Sequence, residues 1–470
     1  MKKVLAILLA LTLSLSTLAA CGSQTPAASS VPSSPSSESV QSSEPAPAST
    51  QGKVLRIYCW NDEFQRRLTA FYPGYNDTTK MIGDIKVEWV TTPNENNAYQ
   101  NALDEALLNQ ASAPADQKVD LFLVEADYAR KYTSADADVA MSIADVGLTE
   151  ADLADQFQYT KDVVSDENGI QRGTSWQGCP GVMIYNRSIA KAVLGSDDPK
   201  VVQAAVADWN TFNATAAKMK EKGYFISAGW DDTYRTYSNN AEGKWVDDSG
   251  KITIQPAIDR WTNDTKTLVD KGYVGKYDLW APEWGNGALG TAFSYFGPAW
   301  FIDFCLAGYT MQTKEADGGK PEAGNGTYGD WAVCAGPEGY FWGGTWMCAA
   351  EGSDNVELIA DMMKVMTCSA DTAKKLTKEC NEFANNKTAM KEIAEDATFG
   401  SVFLGGQNFI AAMYDSADTI DMSNLTAYDQ GLNESYQKYM HEYFAGTVTK
   451  EAALDNFFKE AIEKYPELSR

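Results

Sequence analysis

The chain has 470 residues, with 39 lysines and arginines against 64 aspartates and glutamates, so its formal net charge is −25. This acidity argues against nucleic-acid binding, which needs a basic face, and against electrostatic attachment to anionic lipid. The length exceeds one ordinary hydrophobic core and predicts two or more lobes, while the single histidine, His441, excludes a zinc site built on a pair of histidines.

The first residues have the layout of a secretion signal. Met1–Lys3 carries positive charge, and Val4–Ala20 contains no charged residue. This apolar run is short for a membrane-spanning helix and suits the core of a signal peptide. It ends in Leu18-Ala19-Ala20-Cys21, which resembles the lipobox of bacterial lipoproteins. We therefore expect residues 1–20 to be a lipoprotein signal and Cys21 to be lipidated, because buried acyl chains anchor a protein to a bilayer. The alternative is an ordinary signal peptide followed by an incidental cysteine.

The segment after Cys21 consists mainly of Ser, Pro, Ala, Thr and Gln. Such a composition cannot bury a hydrophobic core. We therefore expect residues 21–52, with the lipidated cysteine at their start, to form a flexible tether.

The remaining cysteines do not indicate a disulfide framework or a metal site. Seven are left when Cys21 is subtracted from the eight in the sequence, and no C-x-x-C motif occurs. An odd number without that motif predicts neither a complete disulfide framework nor a zinc ribbon. We interpret these residues as buried thiols that pack as small apolar groups.

Strand and helix patterns alternate between residues 53 and 124. Short apolar runs at 53–60, 85–90 and 118–124 predict buried strands. Between them, residues 64–72 and 97–110 carry apolar side chains at helical spacing. A strand, helix, strand, helix, strand order is typical of a doubly wound parallel sheet.

A second α/β pattern begins after residue 180. Strands are predicted at 181–185, 225–230 and 330–335, and helices at 208–222 and 261–270. The run at 290–296 fits either a strand or the end of a helix, and its periodicity does not decide between them. From residue 354 onward the pattern is helical, which predicts two α/β units followed by a helical C-terminal tail.

Six segments of the chain carry a family resemblance, and they are LRIYCWNDEF at 55–64, KVDLFLVEADYARKY at 118–132, GVMIYNRSIAK at 181–191, DWNTFNATAAKMKEKG at 208–223, GPAWF at 297–301 and FWGGTWMCAAEGSDNVELIADMMKVM at 341–366. In sequence and in order they resemble the extracellular solute-binding proteins of bacterial ABC importers, in the sugar-binding, maltose-binding-protein-like group. The resemblance implies a two-lobed α/β fold like that of periplasmic binding proteins, with a ligand cleft and a hinge between the lobes. One lobe would comprise residues 53–163 and 305–338, and the other residues 164–304 and 339–470.

Polar and aromatic side chains follow several predicted strands and suit the recognition of a sugar. A sugar carries hydroxyl groups around its ring edge and C–H groups on its faces, so its binder needs carboxylates or amides for the edge and aromatic rings for the faces. The loops at strand ends of an α/β sheet display such groups. The candidate ligand-binding residues are Trp60, Asn61, Asp62, Glu125, Asp127, Trp176, Gln177, Trp230, Asp231, Trp300, Trp342 and Trp346.

The family resemblance singles out some of these positions. It implies a ligand-bonding carboxylate at Asp127, a stacking tryptophan at Trp300 and an aromatic or polar contact near Trp176. Asp62 and Asp127 also suit the N-caps of the helices that follow them, which is a purely structural role. Tryptophans within predicted strands or helices are assigned to the core instead, namely Trp89, Trp209, Trp261 and Trp331.

Other motifs do not support a cofactor or a catalytic nucleophile. Gly285-x-Gly287-x-x-Gly290 matches a dinucleotide-binding pattern, but it does not follow a clear strand. Residues 173–177 lack the final glycine of a nucleophile elbow, and the P-loop motif is absent from the sequence. We expect no cofactor and no bound metal, and the ATPase of an importer would be another chain.

These observations favour a non-catalytic receptor that captures a sugar and passes it to ABC transporter permease subunits. The many aromatic candidates favour an oligosaccharide, and we expect a monomer, lipid-anchored at Cys21 on the extracellular face of a bacterial cytoplasmic membrane of the Gram-positive type. One alternative is a tethered glycoside hydrolase using two carboxylates such as Asp62 and Asp127. Another is a solute-binding protein for a peptide, a polyamine or another small solute, which the acidic charge would also suit.

Overall fold

The computed structural model describes residues 52–470. The predicted signal, Cys21 and the tether up to residue 51 lie outside the described residues. In the described part, no helix is both long enough and apolar enough to cross a bilayer.

Eleven strands form two separate sheets in the described chain. The strands are β1 Val54–Cys59, β2 Tyr75–Asn76, β3 Met81–Ile82, β4 Ile85–Thr91, β5 Leu121–Glu125, β6 Thr174–Ser175, β7 Val182–Asn186, β8 Phe225–Ser227, β9 Ala292–Gly297, β10 Trp331–Cys334 and β11 Thr345–Ala349. The sequence predicts β1, β4, β5, β7 and β10 at these places, and the undecided run at 290–296 is the strand β9.

Helices cover both sheets and make up most of the C-terminal part. The α-helices are α1 Glu63–Phe71, α2 Ala98–Leu108, α3 Ala129–Thr133, α4 Ile143–Val146, α5 Gln158–Asp162, α6 Arg187–Leu194, α7 Pro199–Ala205, α8 Trp209–Glu221, α9 Tyr234–Ser238, α10 Pro256–Asp270, α11 Pro282–Asn286, α12 Ala307–Thr310, α13 Val356–Met363, α14 Ala370–Cys380, α15 Lys387–Ala394, α16 Phe409–Ala417, α17 Asp429–Ala445 and α18 Lys450–Lys464. Two π-helical segments, Phe301–Leu306 and Lys364–Cys368, adjoin α12 and α13.

The larger sheet has seven strands in the order β2-β3-β4-β1-β5-β11-β6. Strand β1 pairs in parallel with β4 and β5, as the doubly wound pattern predicts. Strand β11 runs antiparallel to both of its neighbours, β5 and β6. We call this sheet and the helices packed on it the first lobe.

The smaller sheet has four strands in the order β10-β7-β9-β8, and with its helices it forms the second lobe. Strand β7 pairs antiparallel to β10 and β9, and β8 is parallel to β9. The predicted boundaries assign β10 to the first lobe and β11 to the second. The strand pairing places each of them in the opposite lobe, so the boundary near residue 338 requires this correction.

The helical tail is shared between the lobes. Helix α13 packs on β11 of the first sheet and α14 packs on α1, whereas α16 contacts β10 of the second sheet. Helices α17 and α18 contribute Tyr436 and Phe457 to the core of the second lobe. The tail therefore returns to the first lobe before it ends on the second, whereas the predicted boundaries place all of it on the second.

Candidate functional site

A cavity of about 170 Å³ opens between elements of the two lobes. This volume holds roughly a dozen water molecules, at about 10–15 Å³ for each. Ala126 and Asp127, directly after β5, line it from the first lobe. Helices α9 and α17 line it from the second lobe, and Tyr340–Trp342 lie on the connection from β10 to β11. The ends of central strands therefore supply part of the wall, as expected for a ligand site in an α/β sheet.

An ion pair joins the two lobes beside this cavity. The guanidinium of Arg235 on α9 donates two hydrogen bonds to the carboxylate of Asp127, from Nη1 to Oδ1 at 2.7 Å and from Nη2 to Oδ2 at 2.6 Å. A bidentate pair of this kind fixes the orientation of both groups. The guanidinium also lies over the ring of Trp342, 5.2 Å from its centroid, so a cation–π contact adds to the pair.

Glu125 is the last residue of β5 and lies next to the backbone of Asp127, with both its side chain and Trp300 close to Gly343. Its Oε2 accepts a hydrogen bond of 2.8 Å from the backbone N–H of Asp127. Burial, followed by the charge of Asp127, raises the pKa of Glu125 to about 8. Gly343 allows this close packing, because a Cβ at that position would lie 3.3 Å from Trp300 and 3.4 Å from Glu125 Oε1, on a backbone with φ of +70°. The Trp300 indole N–H donates to the backbone carbonyl of Trp342 at 3.1 Å, and the two rings meet edge to face with their centroids 5.1 Å apart.

Helix α17 presents a polar face to the cavity. Its lining side chains recur with helical spacing and are Asp429, Gln430, Asn433, Glu434 and Gln437. The Oδ1 atom of Asn433 accepts from the indole N–H of Trp245, at 3.1 Å, and from the hydroxyl of Tyr234. Trp245 also lines the cavity and is 6% exposed. An aromatic ring and an amide are thus held next to each other, as recognition of a sugar face and edge requires.

The only histidine lies at the edge of this region, between two carboxylates. His441 Nε2 is 2.6 Å from Asp231 Oδ1, and Nδ1 is 3.2 Å from Asp278 Oδ1. Trp230 stacks on the imidazole at 4.9 Å and donates its indole N–H to Asp278 at 3.0 Å. These three groups could offer ligand atoms to a metal. The carboxylates, however, contact opposite ring nitrogens, which fits hydrogen bonding on both sides of the imidazole better than shared coordination of one ion.

The structure brings six of the predicted site residues into or beside the cavity. Asp127, Asp231 and Trp342 line it, and the other three contact these residues or their immediate neighbours. Those three are Glu125, Trp230 and Trp300.

Three predicted residues after β1 do not line the cavity. Trp60 is half-buried, with its ring against Tyr99 and Tyr128 at 5.5 and 6.2 Å. The Oδ1 atom of Asn61 accepts from the backbone N–H of Glu63. Asp62 is exposed and lies 3.3 Å from Arg66 in an i,i+4 ion pair, and it does not cap α1 through its side chain.

The last three predicted residues are buried in the first lobe. Trp176 is 1% exposed and stacks on Phe64. Trp346 is fully buried on β11 and donates its indole N–H to the carbonyl of Thr160. Gln177 donates to Glu63 Oε1 at 3.0 Å and accepts from the backbone N–H of Thr345 at 3.0 Å. The structure therefore places these side chains in the core and not on the cavity wall.

Several lining residues were not predicted from the sequence. The most informative are Arg235, Trp245 and the polar face of α17. A signal was present for the last of these, since polar side chains in residues 429–437 recur with the spacing of one helix face. The same spacing is found on any solvent-exposed helix face, so it does not by itself indicate a site.

Comparison with known proteins gives one family and a set of similar folds. Residues 75–400 match a family described as bacterial extracellular solute-binding protein. A solved extracellular solute-binding protein of family 1 is 17% identical, with a TM-score of 0.70 over 88% of this chain and 99% of that chain. No curated protein sequence matches the chain.

Two further solved structures contain sugars. The ABC transporter associated binding protein from B. animalis subsp. lactis Bl-04, in complex with beta-1,6-galactobiose, is 16% identical, with a TM-score of 0.62 over 88% of this chain and 98% of that chain. The galacto-N-biose-/lacto-N-biose I-binding protein from Bifidobacterium longum, in complex with lacto-N-biose, is 14% identical, with a TM-score of 0.63 over 89% of this chain and 100% of that chain. At these identities the likeness establishes the two-lobed α/β fold.

Proposed function

Since the chain belongs to the bacterial extracellular solute-binding protein family, we propose that it captures a carbohydrate, and specifically an oligosaccharide, for an ABC transporter. The observation that carries the proposal is the composition of the cavity wall. Trp245 and Trp342 supply aromatic faces, and Asn433, Gln437 and Asp429 supply amide and carboxylate groups. This combination matches the C–H faces and hydroxyl edges of sugar rings.

In the proposed role the ligand stabilises a conformation in which both lobes contact it, because only that conformation satisfies contacts on both sides. Permease subunits would receive the ligand from the closed protein. A lipid on Cys21 and the following tether would keep the protein, as a monomer, at the extracellular face of the cytoplasmic membrane of a Gram-positive type cell.

The charge of the cavity favours a second candidate, a cationic solute such as a polyamine. Six carboxylates line the cavity, against one basic side chain, Arg235, which is already paired with Asp127. The lining carboxylates are Asp127, Asp231, Asp232, Asp421, Asp429 and Glu434. The glycoside hydrolase alternative finds less support, because Asp62 is ion-paired outside the cavity and both oxygens of Asp127 are taken by Arg235.

A thermal-shift and calorimetric screen tests these proposals. The probes are neutral oligosaccharides, polyamines and short peptides, and each sugar is checked for cleavage after incubation. Stabilisation by an intact oligosaccharide supports the sugar receptor. Stabilisation by polyamines alone would support the second candidate, a receptor for a cationic solute. The appearance of shorter sugars would contradict both receptor proposals and support a glycoside hydrolase.

We expect Trp342→Ala to weaken sugar binding by roughly 1–3 kcal/mol, as removal of a buried aromatic contact does. The measurement is the dissociation constant from calorimetry with the sugar that the screen identifies. Trp89→Ala is the control, because Trp89 is a half-buried tryptophan on β4 that does not line the cavity. Equal affinities of Trp342→Ala and the unmodified protein would remove Trp342 from the site.

A further inference from the structure

Trp280 combines two features that are unusual for a tryptophan. Its side chain is 44% exposed, whereas five of the other tryptophans are among the largest fully buried side chains of the chain. Its backbone has a φ of +70°, in the left-handed region that bulky residues rarely adopt. Strained, exposed residues of this kind cluster at ligand sites, because selection for stability alone would replace them.

The strain arises in a tight turn. The backbone N–H of Ala281 donates to the carbonyl of Asp278 at 3.1 Å, so Trp280 is the third residue of a four-residue turn. A positive φ at this position is characteristic of type II turns, which use glycine or asparagine there. A tryptophan adopts this positive φ less favourably than glycine or asparagine does, and it places a large ring on the surface.

The neighbouring residues hold the turn in place. Asp278 Oδ1 accepts from the indole N–H of Trp230 at 3.0 Å and lies 3.2 Å from His441 Nδ1. The backbone N–H of Leu279 donates to Asp231 Oδ2 at 3.5 Å. The cluster around His441 therefore anchors the turn that carries Trp280, which gives these carboxylates a structural function.

The ring of Trp280 continues the aromatic surface of the cavity outward. Its centroid is 5.6 Å from that of Trp342, which lines the cavity, and 6.0 Å from that of Phe301. Leu279, the preceding residue, also lines the cavity. An exposed aromatic plate thus lies directly beside the ring that forms part of the cavity wall.

We propose that Trp280 is an outer stacking platform for an oligosaccharide, contacting a sugar ring that extends beyond the cavity while the end of the ligand lies inside it. This inference rests on the proposed function, because it takes the ligand to be a carbohydrate. The chemistry is that of an apolar sugar face against an indole ring, and it adds affinity only for ligands long enough to reach the platform.

A length series of oligosaccharides tests the platform with two variants, Trp280→Ala and Trp280→Gly. We expect both to bind the longer members of the series about tenfold more weakly, a loss in the range of aromatic contact residues, and to bind the shortest within about twofold of the unmodified protein. Leu108→Ala, at an 85% exposed apolar residue on α2, is the control and should leave every affinity unchanged. The two Trp280 variants should differ in stability, with a higher melting temperature for the glycine variant, because glycine adopts a positive φ without strain.

The outcomes separate the two proposals. A loss confined to the longer sugars supports the platform. Unchanged affinities over the whole series, or an equal loss for all lengths, would overturn it while leaving the receptor function intact. If the unmodified protein binds no glycan of any length, the proposed function fails, and the platform fails with it.

Discussion

Three carboxylates at or beside the cavity are poorly solvated, and this determines how they titrate. Burial raises the pKa of Glu125 to about 8 and the pKa values of Asp232 and Asp429 to about 7. Two hydrogen bonds partly offset the lost solvation of Asp232. Its carboxylate accepts from the backbone N–H of Gly229 at 2.7 Å and from the indole N–H of Trp284 at 2.6 Å. These groups bind protons more tightly in the folded chain than in the unfolded chain, where carboxyl groups have pKa values of about 4.

This difference predicts that stability falls as the pH rises. Between about pH 4.5 and pH 8 the folded state holds more protons than the unfolded state at these three positions, so the free energy of unfolding decreases with increasing pH. We expect a higher melting temperature near pH 5.5 than near pH 8, measured by calorimetry. Carboxyl groups with lowered pKa values, such as Asp396 at about 2, affect stability at lower pH. Their contribution to the free energy of unfolding is lost only as the pH falls below about 4.

Glu125→Gln provides the control for the pH dependence. The variant removes the group with the highest of the three pKa values and retains an oxygen that can accept the hydrogen bond from Asp127. The decrease in melting temperature above about pH 6 should therefore be smaller than in the unmodified protein. An identical pH profile in the two proteins would contradict the assignment.

At the scale of elements, α17 connects the core to the site. One face of the helix packs Leu432, Tyr436 and Met440 into the second lobe, and the adjacent face lines the cavity. Asn433 lies on the cavity face and holds the ring of Trp245 and the hydroxyl of Tyr234 through its single side-chain oxygen. The orientation of these cavity-lining side chains therefore depends on how α17 packs on the core of the second lobe.

We expect Asn433→Ala to lower the free energy of unfolding by about 1–3 kcal/mol, because it leaves two largely buried donors without an acceptor. Sugar affinity should fall as well, since the indole of Trp245 loses its anchor. Gln437→Ala is the matched control one turn later on the same face. There the free energy of unfolding should change by about 0.5 kcal/mol or less, in the range of surface substitutions. Chemical denaturation measures both, and equal destabilisation of the two variants would contradict the anchoring role of Asn433.

Elements with strong periodicity could be predicted from the sequence, and the site only in part. The runs that form β1 and β5 are almost wholly apolar because they lie in the middle of the first sheet, and this pattern is local. Trp346 has the same chemical character as Trp342, but it lies on a strand between two neighbours and not in a connection. Which tryptophan is exposed depends on contacts distant in sequence, and composition does not encode them.

At the scale of the whole molecule, the lobe membership of β10 and β11 shows the same limit. Both are short buried strands, and their apolar runs contain no information about which sheet they join. Their pairing with β7 and with β5 is decided by where the chain crosses between lobes, at residues 335–344. The fold class followed from local pattern and family resemblance, whereas the exact crossing required the three-dimensional structure.

The pair of Asp127 and Arg235 links the lobes and should influence how far they separate. Asp127 follows β5 of the first lobe, and Arg235 lies on α9 of the second. Because both side chains are about one-third exposed, the pair contributes roughly 1 kcal/mol or less, which corresponds to a shift of up to about fivefold between joined and separated lobes. We therefore expect Asp127→Asn to increase the radius of gyration of the ligand-free protein in X-ray scattering, and high salt to act on the unmodified protein in the same direction. Asp104→Asn, which breaks a pair with Lys131 inside the first lobe, should leave the radius unchanged. If the two variants scatter identically, the pair does not control the lobe arrangement.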